Sequence, residues 1–166
     1  MEKYRTFFPR LVALLIDSFI MLPIAIFDDW FRRAEYPPLF FYIWIPLSAA
    51  VFPAYMIFMH GKYGQTLGKM YMNVKVVRVE TEEKISFVNA FLRELPQFLF
   101  NISSVVLGIV FLGENPESER LKIPFGVFGF VTVVWAIADV TTFFYNEKRR
   151  ALHDYIAGTV VVKTNV

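Results

Sequence analysis

Hydrophobic residues collect in four long runs along this chain, and polar residues collect between them. The runs extend from Phe7 to Phe27, Leu39 to Met59, Leu95 to Leu112 and Ile123 to Tyr145. Each approaches the roughly 20 apolar residues that carry a helix across about 30 Å of hydrocarbon. Arg10 and Asp17 interrupt the first run and Asp139 the fourth, while the middle two carry no charge. One such run could be a buried core helix, but four in 166 residues leave too little polar sequence to wrap them. The pattern predicts a single-domain, all-α membrane protein with four transmembrane helices. Pro23, Pro46 and Pro53 fall inside spans, where neighbouring helices satisfy the freed carbonyls, and Pro96 and Pro124 fall at the starts of spans.

Residues 60–94 form the one long polar insertion, and residues 146–166 form a polar tail. In MNVKVVRVETEEKISF, Val74, Val76 and Val79 alternate in part with Lys75 and Arg78, and TEEK reads as a turn, which predicts a short β-hairpin. After Ser86, FVNAFLREL places Phe87, Ala90, Phe91 and Leu95 on one helical face and Arg93 and Glu94 on the other. That is the pattern of a helix lying in the membrane interface. The β-branched run in AGTVVVKT offers the loop strand a second partner, in the tail. Loop and tail together would form a small cap over the inner ends of the spans.

Composition agrees with lipid as the main solvent: 56% of residues are hydrophobic and 18% aromatic, and mean hydropathy is +0.46. The absence of Cys excludes disulfides, thiolate metal sites and cysteine nucleophiles. A net charge of +2 gives no sign of nucleic acid as a partner, so the placement of charge matters more than its sum. With both termini cytoplasmic, thirteen of the seventeen basic residues lie inside. The outer loops DDWFRRAEYPP and GENPESERLK hold only Arg32, Arg33, Arg120 and Lys122. The bias predicts an N-in, C-in topology. No small-residue cleavage site follows the first run, and Asp17 interrupts it, so it reads as a mature helix and not as a signal peptide.

Facing lipid near the middle of a span would cost Asp17 about 2.5–3.5 kcal/mol, so it is expected to face protein or water. Arg10 shares nearly the same helical face about 10 Å closer to the cytoplasm, too far for a direct ion pair. Asp139 lies in the cytoplasmic half of the antiparallel fourth span, so Asp17 and Asp139 can face one polar pocket. Carboxylates suit hard cations and must be deprotonated to bind them, which couples a monovalent cation to a proton. The competing reading is a buried Arg10–Asp17 network that only fixes helix packing. GQTLGK has glycines and a lysine, but three residues separate Gly64 from Gly68 and Met70 follows Lys69, so it is not a Walker loop. It reads instead as a tight turn with Lys69 near lipid phosphates. His153 and Asp154, adjacent on a helix, point about 100° apart and make no catalytic dyad. With no nucleophile elbow and no HExxH, the chain is expected to be neither an enzyme nor a cofactor carrier.

Three blocks in order, RLVALLID (Arg10 to Asp17), GQTLGKMYMNVKVV (Gly64 to Val77) followed by Arg93, and RRALHDYIAGTVVV (Arg149 to Val162), resemble the RDD family of small integral membrane proteins. The resemblance implies Arg10, Asp17 and Asp154 as the naming triad. Gly64, Thr66, Gly68, Lys69, Arg93, His153, Gly158 and Thr159 are then secondary motif positions. It also implies a prokaryotic inner membrane and suspected transport, some members being associated with sodium/proton antiport. Asp154, just beyond the fourth span, would pair with Arg10 or Arg93 as a gating latch. The expected function is therefore monovalent cation/proton antiport in a lipid bilayer. A homo-oligomer is expected, because four helices enclose little space and no inverted repeat is visible. The alternative is an accessory or scaffold subunit that binds a membrane-protein partner or anionic lipid. Its features are Phe125, Phe128, Phe130, Phe143 and Phe144 and the basic inner loop.

Overall fold

The computed structural model describes residues 2–33, 38–111 and 119–164, most of them helical. The connections 34–37 and 112–118, within the expected outer loops, lie outside the described residues. Helices α1 (Phe7–Arg33) and α2 (Pro38–Tyr63) come first, followed by the short α3 (Leu67–Tyr71) and strand β1 (Val74–Arg78). Two further long helices, α4 (Phe87–Val110) and α5 (Glu119–Phe144), lead to a tail holding α6 (Leu152–Ile156) and β2 (Thr159–Lys163). Three helices, within Glu2–Phe31, Tyr42–Tyr63 and Arg120–Phe144, are long and apolar enough to cross a membrane. α4 has 24 residues but is not among them, because Arg93, Glu94, Gln97, Asn101, Ser103 and Ser104 interrupt its apolar sequence.

α4 corrects two expectations. It is one continuous helix from Phe87, so Pro96 lies within it and not at the start of a span, as Pro124 lies within α5. Its start is fixed by a reciprocal cap: the Asn89 amide donates to Ser86 Oγ at 3.2 Å and the Ser86 amide to Asn89 Oδ1 at 3.3 Å. The expected interfacial face is also inverted. Ala90, Arg93 and Glu94 are buried, whereas Phe87 and Phe91 are exposed. Where the surroundings are apolar, a helix hides its polar side, and the ordinary reading of amphipathicity reverses.

The expected β-hairpin within the loop is replaced by the other pairing. β1 runs antiparallel to β2 in the tail, with Val76 opposite Val161, and the loop's own return contributes one bridge, Val77 to Lys84. The physical reason is burial. Val74, Val76 and Val161 close over Ile85 and Ala90 in a small apolar core, which the charged TEEK segment could not complete. Gly64, at φ +71°, ends α2: its amide donates to the His60 carbonyl at 2.8 Å, and its carbonyl accepts from Val76 at 2.8 Å. Gly158, at φ +64°, ends α6 in the same way and turns the chain into β2. The result is a cap of α3, α6 and the two-stranded sheet on one end of the long helices.

Candidate functional site

Of the three aspartates, Asp17 and Asp139 line one cleft and Asp154 is buried behind it. Asp17, 1% exposed on α1, receives the Thr66 hydroxyl at 2.5 Å, the Tyr55 hydroxyl at 2.8 Å and the Gly68 amide at 2.8 Å. The glycine loop therefore does cradle an anion, but an internal one. Thr66 caps α3, accepting from the Lys69 amide at 3.2 Å while donating to Asp17. Glycine is required at 68 because a Cβ there would collide with the Ala13 carbonyl, so α3 can lie directly on α1. None of the donors to Asp17 is a cation. The anticipated Arg10–Asp17 network does not form.

Arg10 instead reaches Asp154, Nη1 donating to Oδ2 at 2.7 Å. Arg93 binds the other oxygen of the same carboxylate through its own Nη1. The Ala151 amide adds a bond at 3.1 Å and the Thr159 hydroxyl one at 3.3 Å. One fully buried carboxylate thus ties α1, α4, α6 and β2 together. Burial alone would raise its pKa, but the Arg10 and Arg93 guanidiniums outweigh that and hold the Asp154 carboxyl well below the usual range.

Asp139 sits on α5 at a half-open position, its side chain 22% exposed. His153 donates to it from Nδ1 at 2.8 Å and from its amide at 3.1 Å. His153 Nε2 accepts from Arg93 Nη2 at 3.0 Å, so the ring carries its proton on Nδ1. His153 thus bridges Asp139 to the Asp154 cluster, a relation that adjacency to Asp154 in sequence does not suggest.

Lys69 departs from expectation. It is 7% exposed, and its Nζ donates to His60 Nε2 at 2.6 Å and not to surface phosphates. Burial pushes the ammonium down to about 7, and the Arg93 guanidinium adds to the push. His60, fully buried on α2, presents Nδ1 at 3.3 Å from Glu94 Oε1 without hydrogen-bond alignment. His60, Glu94 and Tyr55 were not singled out from sequence. Glu94 carried a signal, a charge paired with Arg93 at the head of an apolar run, but was assigned to the surface.

Asp17, Asp139, Glu94, Arg10, Lys69, Arg93 and His153 all line one cleft of about 340 Å³, walled by Leu14, Phe52, Met56 and Trp135. Asp17 and Asp139 thus line the same cleft, whose wall is mostly apolar. At the uncapped end a second cleft of about 320 Å³ is lined by Asp28, Trp44, Ser48, Ser104 and Gly108. Along α4, Gln97 lines the first cleft and Ser104 the second, while Asn101 between them lines a third, apolar cleft of about 200 Å³ and accepts from Gln97 Nε2 at 3.4 Å. Among the described residues no cluster of His, Asp and Glu has the geometry of a resident metal site.

A family model described as RDD family matches residues 4–158. Among curated proteins and among solved structures nothing matches.

Proposed function

The chain belongs to the RDD family, and from that premise we propose that it is a membrane transporter, not an enzyme, which exchanges a monovalent cation for a proton. The carrying observation is the polar stripe of α4, Arg93, Gln97, Asn101 and Ser104, which runs from the charged cleft under the cap to the cleft at the far end. A helix facing only lipid or a dry core would have no use for it. Asp28 lies eleven residues beyond Asp17 on α1, about 16 Å along the axis, so the two clefts sit at different depths. Asp17 and Asp139 supply the carboxylates for the cargo, and Asp17 has no cationic partner to displace. Arg10, Arg93 and Asp154 form the latch on the cytoplasmic side.

The path of the chain supports four spans. α5 ends at the cap, where Asp139 meets His153, and α4 begins there, where Asn89 Nδ2 donates to the Ala157 carbonyl at 2.9 Å. On this reading α4 makes the same crossing as its three more apolar neighbours. Basic residues gathered at the capped end support a cytoplasmic position for the cap and both termini. A cell inner membrane and a homo-oligomer complete the reading.

The test is reconstitution in liposomes, following internal pH after pulses of Na⁺, Li⁺ or K⁺, with wild type beside a folded Asp17→Asn variant. Cation-driven proton movement that is lost in the variant supports exchange. One observation favours a second reading: all the hydrogen bonds of Asp17 are met within the protein. Silence from correctly inserted wild type transfers the assignment to a non-transporting scaffold subunit that binds membrane-protein partners or anionic lipid.

A further inference from the structure

Among the basic groups around the cleft, Lys69 stands apart. Arg10 and Arg93 share the Asp154 carboxylate, whereas the described partner of the Lys69 ammonium is the neutral imidazole of His60. A charge buried against a neutral ring is the least stabilised of the set. The charged groups lining this space are Arg10 and Asp17 from α1, Lys69 from α3, Arg93 and Glu94 from α4 and Asp139 from α5; Asp154 of α6, buried behind the lining, completes the cluster by pairing with Arg10 and Arg93, and α2 adds the titratable Tyr55 and His60. Both imidazoles accept from a basic group and are neutral. Three basic groups therefore face four carboxylates, an excess of one negative charge. Removing the Lys69 proton raises the excess to two, and admitting one monovalent cation restores it to one.

We propose that Lys69 is the proton-releasing group of the exchange: its proton and a single cargo cation occupy the cleft alternately, and His60 holds the amine in place in both states. The inference rests on the exchange reading above and makes it one-for-one. The step balances. As M⁺ enters, Lys69 passes one proton to water in the cleft and becomes a neutral amine, which still donates an N–H to His60 Nε2. The reverse step expels the cation. Burial brings the ammonium to about 7, so the proton leaves in the range where a cell operates. Asp17, whose oxygens already take three hydrogen bonds, is released from carrying protons and keeps only the cation.

The experiment is equilibrium binding of radioactive sodium to the purified full-length protein in lipid at pH 6, 7 and 8, for wild type, Lys69→Met and Lys69→Arg. A proton released near pH 7 makes wild-type affinity rise about tenfold from pH 6 to 8. Lys69→Met should bind equally at all three values, and Lys69→Arg, which cannot discharge, should bind weakly at all three. Wild-type pH dependence that survives in Lys69→Met overturns the assignment and leaves exchange standing. No sodium, lithium or potassium binding by wild type overturns the exchange reading and this inference together. Should the variants misfold, wild type alone decides by reductive methylation of Lys69 at pH 6. Sodium should speed the reaction several-fold by leaving a neutral amine, and an unchanged rate overturns the proposal.

Discussion

At the scale of single residues, the Asp154 carboxylate concentrates more interactions than any other group described. Asp154→Asn would leave Arg10 and Arg93 buried without their counter-charge, and breaking a buried pair in this way costs about 3–5 kcal/mol. The expected result is a large drop in the thermal midpoint of the protein in mild detergent, with the tail made accessible to protease. The acid side follows from the sign of the shift. A carboxyl held below its unfolded value stabilises the fold fully above that value, near pH 4, and loses the contribution as pH falls towards the depressed one. The Asp154 part of stability should thus be flat from pH 8 to 5 and fall only in strong acid, and Asp154→Asn should lack that acid limb. Gly68→Ala tests packing and not charge. The added methyl meets the Ala13 carbonyl, so α3 must back away from α1, at about 1–3 kcal/mol, and the Gly68 amide withdraws from Asp17. Weaker exchange and a lower midpoint should appear together in that variant.

At the scale of elements, the tail strand and the polar stripe make separate predictions. Lys75 and Val162 stand opposite each other across the β1–β2 pair, and the chain has no native cysteine. A Lys75→Cys, Val162→Cys double variant should therefore form an intramolecular disulfide on mild oxidation, seen as a shift in gel mobility; a loop folded on itself would give none. Asn101→Leu places an apolar side chain in the middle of the α4 stripe and should abolish exchange while leaving the thermal midpoint nearly unchanged. Much of this organisation was legible in the sequence. The long apolar runs and the strand-like VKVVR and TVVVK segments follow from periodicity and propensity, and the Arg10–Asp154 pairing follows from motif order. The inverted face of α4 is not legible, because burial of apolar residues is the default only where water surrounds the protein, and FVNAFLREL reads as a helix at the membrane interface with Arg93 and Glu94 turned outward. His60 was missed for a related reason. A lone histidine near the end of an apolar run has no local partner, and Lys69 and Glu94 reach it only after α3 and α4 fold against α2.

For the whole molecule, the proposed four spans require α5, which meets the cap at its Phe144 end, to have its Arg120 end across the membrane, an end that the chain reaches through α4. On that proposal the polar residues of α4 serve the clefts, Arg93, Glu94 and Gln97 lining the one under the cap and Ser104 the one at the far end. Most of the apolar surface of α5 is exposed, which suits contact with lipid or with another copy, so α5 depends on the cap to fix its position, whereas α2 and α4 pack against each other. Two single-cysteine variants decide the topology in intact cells treated with a membrane-impermeant maleimide. Thr81→Cys, in the exposed turn of the cap, should stay unlabelled until the cells are permeabilised, whereas Arg120→Cys should react at once. Both protected, or both labelled, would mean that α4 does not cross and would overturn the proposed four-span exchanger. Labelling of Thr81→Cys alone would keep four spans and invert the protein, placing the Arg10–Asp154–Arg93 latch on the outer side.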